Sequence, residues 1–204
     1  MFPENYFIYL QLILFYFITP GPPRVVIVSN TINHGLRKSI WTAVGDISAN
    51  FVQASLVTFV IGSMLIDNPK IFIYLKWAGI FYLLYLAYET FIQKIKNVDI
   101  KNKIIKSNIA MFRDGFLVAG LSPKALIFFG TIFITFINFD GNVASQFFIL
   151  IFTWMFLDFL SLMVYGLAAR EVASWLKNNP RILNTISACV LLIIAIYLAV
   201  TGNY

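Results

Sequence analysis

Residues 5–29 read N-Y-F-I-Y-L-Q-L-I-L-F-Y-F-I-T-P-G-P-P-R-V-V-I-V-S. A helix needs about 20 apolar residues to cross ~30 Å of hydrocarbon, and this run is long enough. It is interrupted by Thr19, Pro20, Gly21, Pro22, Pro23 and Arg24. Prolines remove backbone donors and clash with the preceding turn. The carbonyls one turn earlier then lack partners, which hydrocarbon tolerates only where protein or water satisfies them. The expected element is a membrane helix broken at Pro20–Pro22, with a second half starting near Pro22 and presenting a positive dipole end. The plain alternative is a kink that only shapes packing, since proline is common in membrane helices. Glu4, the lack of Lys or Arg in residues 1–5 and the length of the run favour a retained helix over a cleaved signal peptide.

Composition carries the same reading to the whole chain. Of 204 residues, 60% are hydrophobic and 12% charged, with a mean hydropathy of +0.82. A soluble domain has about 45–50% apolar and about 25% charged residues, so an all-α integral membrane protein is expected. The net charge of +6 belongs mostly to short loops and is no sign of nucleic-acid binding. A lone cysteine, Cys189, excludes an internal disulfide or C-x-x-C centre, and a lone histidine, His34, excludes a multi-His metal site.

Six stretches qualify as spans: 5–29, 39–66, 70–93, 113–139, 145–170 and 181–202. Asp67-Asn68-Pro69-Lys70 and Asp140-Gly141-Asn142 read as tight turns, and Asn178-Asn179-Pro180 as the start of the sixth helix. Basic residues collect after the first helix (Arg37, Lys38), after the third (Lys94, Lys96, Lys101, Lys103, Lys106, Arg113) and after the fifth (Arg170, Lys177, Arg181). The positive-inside rule places these loops in the cytoplasm and both termini outside. One transmembrane domain, 1–204, then has two halves of opposite topology, 1–93 and 113–204. The basic loop 94–112 joins them, and its interleaved isoleucines also suit a segment lying on anionic lipid. Helices 1 and 4 are each broken at prolines and each precede an acidic helix. This is the outline of two inverted three-helix repeats, as in small secondary transporters.

The acidic helices carry the candidate chemistry. A carboxylate at a bilayer-spanning helix centre costs roughly 2.5–3.5 kcal/mol, so Asp46 and Asp158 are expected to face a partner, water or substrate. Thr42, Asp46, Asn50 and Gln53 share one helical face, with Gly45 and Ala49 beside them for close approach. That small-residue face suits a homodimer and internal packing equally. Trp154, Asp158, Ser161 and Tyr165 share a face of the fifth helix. Desolvation favours the neutral form of a carboxyl group, the property proton coupling needs, and Asp158 is the first choice because it is deepest. The alternatives are helix–helix glue for Asn50 and Gln53, and a structural ion pair with Lys124 or Arg24 for Asp158.

Ser122-Pro123 reads as an N-cap followed by proline at the first helical position. Lys124 then sits at a helix N-terminus, where an anion such as Asp46, Asp158 or a substrate carboxylate would relieve it. Arg24 is expected to snorkel from the cytoplasmic end of helix 1. His34 is read as a capping or hydrated loop residue, and helix 6 as scaffold.

These residues, in order, resemble the LysE/RhtB family of amino-acid exporters. The likeness rests on Pro20-Gly21-Pro22, His34-Gly35-Leu36-Arg37, Gly45-Asp46, the Ala78–Leu86 segment, Asp114-Gly115-Phe116 with Ser122-Pro123-Lys124-Ala125, and Asp158, Tyr165 and Ala169-Arg170. Ser122 stands where the family usually has Asn, Pro23-Arg24 where a small or polar residue is usual, and Asn50 where a small residue or His is common. The resemblance implies a multi-pass protein of the bacterial cytoplasmic (inner) membrane. It implies export of amino acids or close derivatives by proton antiport with alternating access, with the substrate, protons and the bilayer as partners and no cofactor or enzymatic activity. The broken-helix ends and Lys124 would hold a substrate carboxylate, and Asp46 or Asp158 the ammonium. Cadmium-type export and a non-transporting scaffold stay open as alternatives. The lone thiol and the lack of clustered soft ligands weigh against thiol–disulfide carriers and soft-metal transport. No nucleophile–base pair supports an intramembrane enzyme.

Overall fold

The computed structural model describes residues 5–18, 21–62, 69–92 and 106–178, together with Pro3 and scattered helical positions between Thr185 and Val200. Among the described residues all regular structure is helical: α1 (Tyr6–Ile18), α2 (Pro22–His34), α3 (Leu36–Leu56), α4 (Pro69–Ile92), α5 (Asn108–Gly120), α6 (Pro123–Ile127), α7 (Val143–Leu167) and α8 (Ala169–Asn178). α3 runs on through a π-helical turn, Val57–Ile61, and α6 through a π-helical turn, Phe128–Ile132, and a 3-10 turn, Phe133–Phe136. Thr19, Pro20, Asp67, Asn68, the basic residues between 94 and 103, the expected start of the sixth span at Asn179-Pro180 and both chain ends lie outside the described residues.

Two described helices, Leu36–Val60 and Val143–Leu167, are each long and apolar enough to cross a membrane. Asn108–Gly120 and Lys124–Phe136 qualify as a pair bent by 59°. Large apolar side chains such as Phe7, Phe81, Phe156 and Val164 point outward, as a surface meeting lipid rather than water requires.

The sequence at each proline site accounts for the local chain path. α1 closes at Ile18, Gly21 is extended (φ −132°, ψ −179°), and Pro22 opens α2 as its first residue, where a missing N–H costs nothing. α5 closes at Gly120, Ser122 is extended, and Pro123 opens α6. Gly35 separates α2 from α3 at φ 83°, a left-handed value that glycine adopts without strain. Asn142 caps α7 by accepting from Ser145 N at 2.9 Å.

Two expected loops are corrected. α5 starts at Asn108 rather than near 113, because Ser107 caps it by accepting from Ala110 N at 3.2 Å. Residues from Ala169 to Asn178 form α8 rather than a loop. Ala169 and Val172 pack on a small core with Ile27 and Leu162, while Arg170 and Glu171 are exposed; the amphipathic face, not hydropathy, makes it helical.

The tightest packing is between α3 and α5. A Cβ on Gly45 would overlap the Phe112 carbonyl, and one on Gly115 would overlap the Thr42 carbonyl. The two glycines are reciprocal: each lets the other helix's main chain into its groove, and Ala49 lies against Gly120 beside them. The Gly45/Ala49 face is therefore used inside the bundle. This contact holds the polar face of α3 against the rest of the site.

Candidate functional site

α2 and α7 supply a buried ion pair. Arg24 Nη2 donates to Asp158 Oδ1 at 2.5 Å, with the two side chains 6% and 0% exposed. The expectation that Arg24 snorkels is overturned. Because the chain restarts as a helix at Pro22, Arg24 falls in the first turn of a new half-helix and points into the bundle. The guanidinium also lies 5.2 Å from the Phe17 ring centroid.

α3 brings the second carboxylate. Asn50 Nδ2 donates to Asp46 Oδ2 at 3.1 Å and to Asp158 Oδ2 at 2.9 Å, so one amide group joins both acids. Thr42, Asp46, Asn50 and Gln53 are all buried. On α7 the buried stripe runs through Trp154, Asp158, Leu162 and Gly166. Ser161 and Tyr165 are only partly buried, and Tyr165 packs with the Ile27–Leu162 core instead.

Lys124, on α6, reaches back to the first proline site. Its Nζ donates to Tyr16 O at 3.4 Å and sits 4.0 Å from the Tyr16 ring centroid. Among the described residues the ion pairs are Arg24–Asp158 and Lys106–Asp114, so Lys124 pairs with neither Asp46 nor Asp158. The carbonyls left over at the second proline site are met in the same cross-chain manner. Gln53 Nε2 donates to Ala119 O at 3.3 Å and Gly120 O at 2.8 Å, capping α5 from a neighbouring helix. Ser122 N also donates to Ala119 O at 3.0 Å, so Gln53→Leu is expected to leave Gly120 O without its side-chain donor and to destabilise by about 1–3 kcal/mol, read from unfolding in mixed micelles.

A cavity of about 20 Å³ lies at the centre, lined by Arg24, Asp46, Asn50, Ser122, Lys124 and Asp158, with Tyr16, Trp154, Gly21 and Pro22 completing its wall. That is room for a water molecule and not for an amino acid. Gln53 and Tyr165 do not line it. Four buried polar atoms of lining residues have no hydrogen-bond partner: donors Arg24 Nε and Trp154 Nε1, and acceptors Asp46 Oδ1 and Asn50 Oδ1. Buried polar groups are normally paired; these four belong to residues that line one cavity, which makes its wall the most polar part of the interior.

An aromatic layer packs against one wall of the cavity. Trp154 is packed among Tyr16, Phe17, Phe128 and Phe129 with ring centroids 5.0, 4.7, 4.5 and 4.9 Å away. Toward the α2–α3 junction lies a polar cluster. Asn30 Nδ2 donates to Thr42 Oγ1 at 2.9 Å, Lys106 N donates to His34 Nε2 at 3.1 Å, and Lys106 Nζ pairs with Asp114 at 2.5 Å. His34 thus fastens the segment entering α5 to the end of α2. Among the described residues no group of three or more His, Cys, Asp or Glu side chains stands where it could hold a metal ion.

Charged side chains buried among apolar membrane-length helices mark a functional site in a membrane protein. The family model for LysE type translocators matches residues 14–202, and the chain belongs to that family. It is similar to the homoserine/homoserine lactone efflux protein of Salmonella typhimurium, 25% identical over 176 residues, covering 86% of this chain and 85% of that protein. The protein of the same name in Salmonella typhi matches with the same identity and coverage. No solved structure matches the chain.

Proposed function

We propose that this protein exports small amino acids or close derivatives from the cytoplasm across a bacterial inner membrane. The observation that carries the reading is the match to LysE type translocators over residues 14–202, in a chain whose buried charged residues from four helices meet at one point. The relatives are named for efflux of homoserine and homoserine lactone, which points the substrate class toward small hydroxy amino acids and their cyclic esters.

Six spans in two inverted halves, with basic loops in the cytoplasm and both termini outside, would place the cavity between the two proline-interrupted helices. Alternating access would open it by moving α1–α2 or α5–α6 at Gly21 and Ser122. In that cycle the aromatic layer around Trp154 would be one cover of the cavity.

Proton exchange is assigned to Asp46 rather than to the deeper Asp158. Asp158 is neutralised by Arg24, whereas Asp46 keeps an oxygen with no donor. A substrate ammonium and a proton would compete for that carboxylate, which is the coupling antiport requires. Efflux from preloaded proteoliposomes tests this, using hydroxy, neutral and basic amino acids with and without an imposed proton gradient. Wild-type protein is expected to show gradient-driven efflux of one class. Asp46→Asn should lower it by about thirtyfold or more, since losing one partner of a buried charged contact costs roughly 2–5 kcal/mol. Folded wild-type protein that moves no member of the panel would overturn the reading.

A further inference from the structure

The geometry points to His34 as a catch, released by acid, that ties the two proline-interrupted helices together at the end of the bundle carrying Arg37, Lys38 and Lys106. α2 is the second limb of one such helix and α5 the first limb of the other. They are joined through one imidazole. His34, in the last turn of α2, uses both ring nitrogens: Lys106 N lies 3.1 Å from Nε2, and Asn30 O lies 3.3 Å from Nδ1. A main-chain N–H can only donate, and a carbonyl can only accept. The ring proton is therefore on Nδ1, Nε2 is a bare acceptor, and the imidazole is neutral. Protonation would set an N–H on Nε2 against the N–H of Lys106, and the catch would open.

The contacts continue inward from the ring. Lys106 Nζ donates to Asn30 Oδ1 at 3.5 Å and pairs with Asp114, and Asn30 Nδ2 donates to Thr42 Oγ1 at 2.9 Å. Asn30 is 2% exposed, so this path leads from the catch to the buried face of α3. The Thr42 carbonyl sits in the Gly115 groove, one turn from Asp46. Freeing the start of α5 therefore loosens the seat of the helix beside the site. The charges on the surrounding elements are accounted for. Lys106 and Asp114 are paired with each other, and Asp158 on α7 with Arg24 at the opposite end of α2. Arg37 and Lys38 on α3, Arg113 on α5, and Arg170 and Glu171 on α8 are exposed. An imidazole is the side chain that changes charge between about pH 5 and 8, so it is the group in this set that mild acid converts. The movement proposed above shifts one interrupted helix against the other, which the fastened catch resists. The effect on transport rests on that reading; the catch itself does not.

The chain has one histidine, so magnetic resonance of full-length protein isotopically labelled at histidine nitrogen reports on His34 alone. In micelles at about pH 8 the ring proton is expected on Nδ1, and at about pH 5 on both nitrogens. Across that change the Lys106 amide should lose about tenfold in hydrogen-exchange protection, corrected for the intrinsic rate, which is the loss of one hydrogen bond. His34→Gln supplies an uncharged acceptor of similar reach and should keep the protection at both pH values. A ring proton on Nε2 at the higher pH, a ring that stays neutral in folded protein at the lower one, or protection lost equally in His34→Gln overturns the inference. Efflux from proteoliposomes, with acid on the side bearing Lys106, separates the catch from the export reading. Wild type should gain up to about tenfold in rate over His34→Gln, the same single bond. Equal pH responses in the two proteins overturn the catch's part in transport. Folded wild type that exports nothing while its Lys106 amide responds as expected overturns the export reading and leaves the catch standing.

Discussion

Asp158→Ala is expected to destabilise the protein by about 3–5 kcal/mol, the cost of leaving a buried charge without its partner. The reason is local. Arg24 is 5% exposed and its ion pair is with Asp158. Asn50 loses one of its two acceptors in the same substitution. The cost should not appear when both charges go together. Arg24→Met/Asp158→Leu replaces the pair by apolar groups of comparable bulk, which in other proteins is often neutral or stabilising. Reversible unfolding in mixed micelles, run as a double-mutant cycle, measures the difference. If the single and double variants unfold at the same denaturant concentration, Arg24 is finding another partner or solvent, and the closed site described above is wrong.

Gly115→Ala is the second large effect, at about 3 kcal/mol or more. Overpacking usually costs about 1–3 kcal/mol when side chains can adjust, but here the obstacle is main chain. The new Cβ would overlap the Thr42 carbonyl oxygen and lie 3.1 Å from Asp46 N, so α3 and α5 must separate along their length. Asp46 rides on the displaced turn, so transport should fall along with stability. Gly130→Ala is the control: its Cβ would meet nothing within 4 Å, and it should stay within about 1 kcal/mol of wild type. A Gly115→Ala protein as stable as the control would show that the helix contact is looser than described.

Much of the site was legible because bilayers make polar residues conspicuous. Asp46, Asn50, Lys124 and Asp158 stood out from apolar surroundings, and all four line the cavity. Gln53 stood out for the same reason, yet its amide caps the end of α5. Polarity marks a residue that must find a partner without saying whether that partner is substrate or main chain. Of the readings offered, the structural ion pair of Asp158 with Arg24 is the one observed; the expected snorkelling failed because a charge near the end of an apolar run ordinarily reaches the interface. Only the restart of the helix at Pro22 turns it inward. Helical spacing placed Trp154 on the Asp158 face, and both line the cavity, but nothing in one sequence marks an indole N–H that will be left unpaired. α8 was missed because ten residues of mixed polarity carry no spanning signal.

Length and hydropathy alone determined that this chain is helical and membrane-embedded. These are one-dimensional properties: each residue either meets the cost of hydrocarbon or does not. The same properties picked out the carboxylates. Tertiary structure decided which charges meet: Arg24 with Asp158, Asn50 between two acids, Lys124 against Tyr16. It also decided that the Gly45 face closes on α5 rather than on a second copy. Pairing depends on how helices far apart in the chain rotate and approach, and that follows from packing of whole faces, which no single segment encodes.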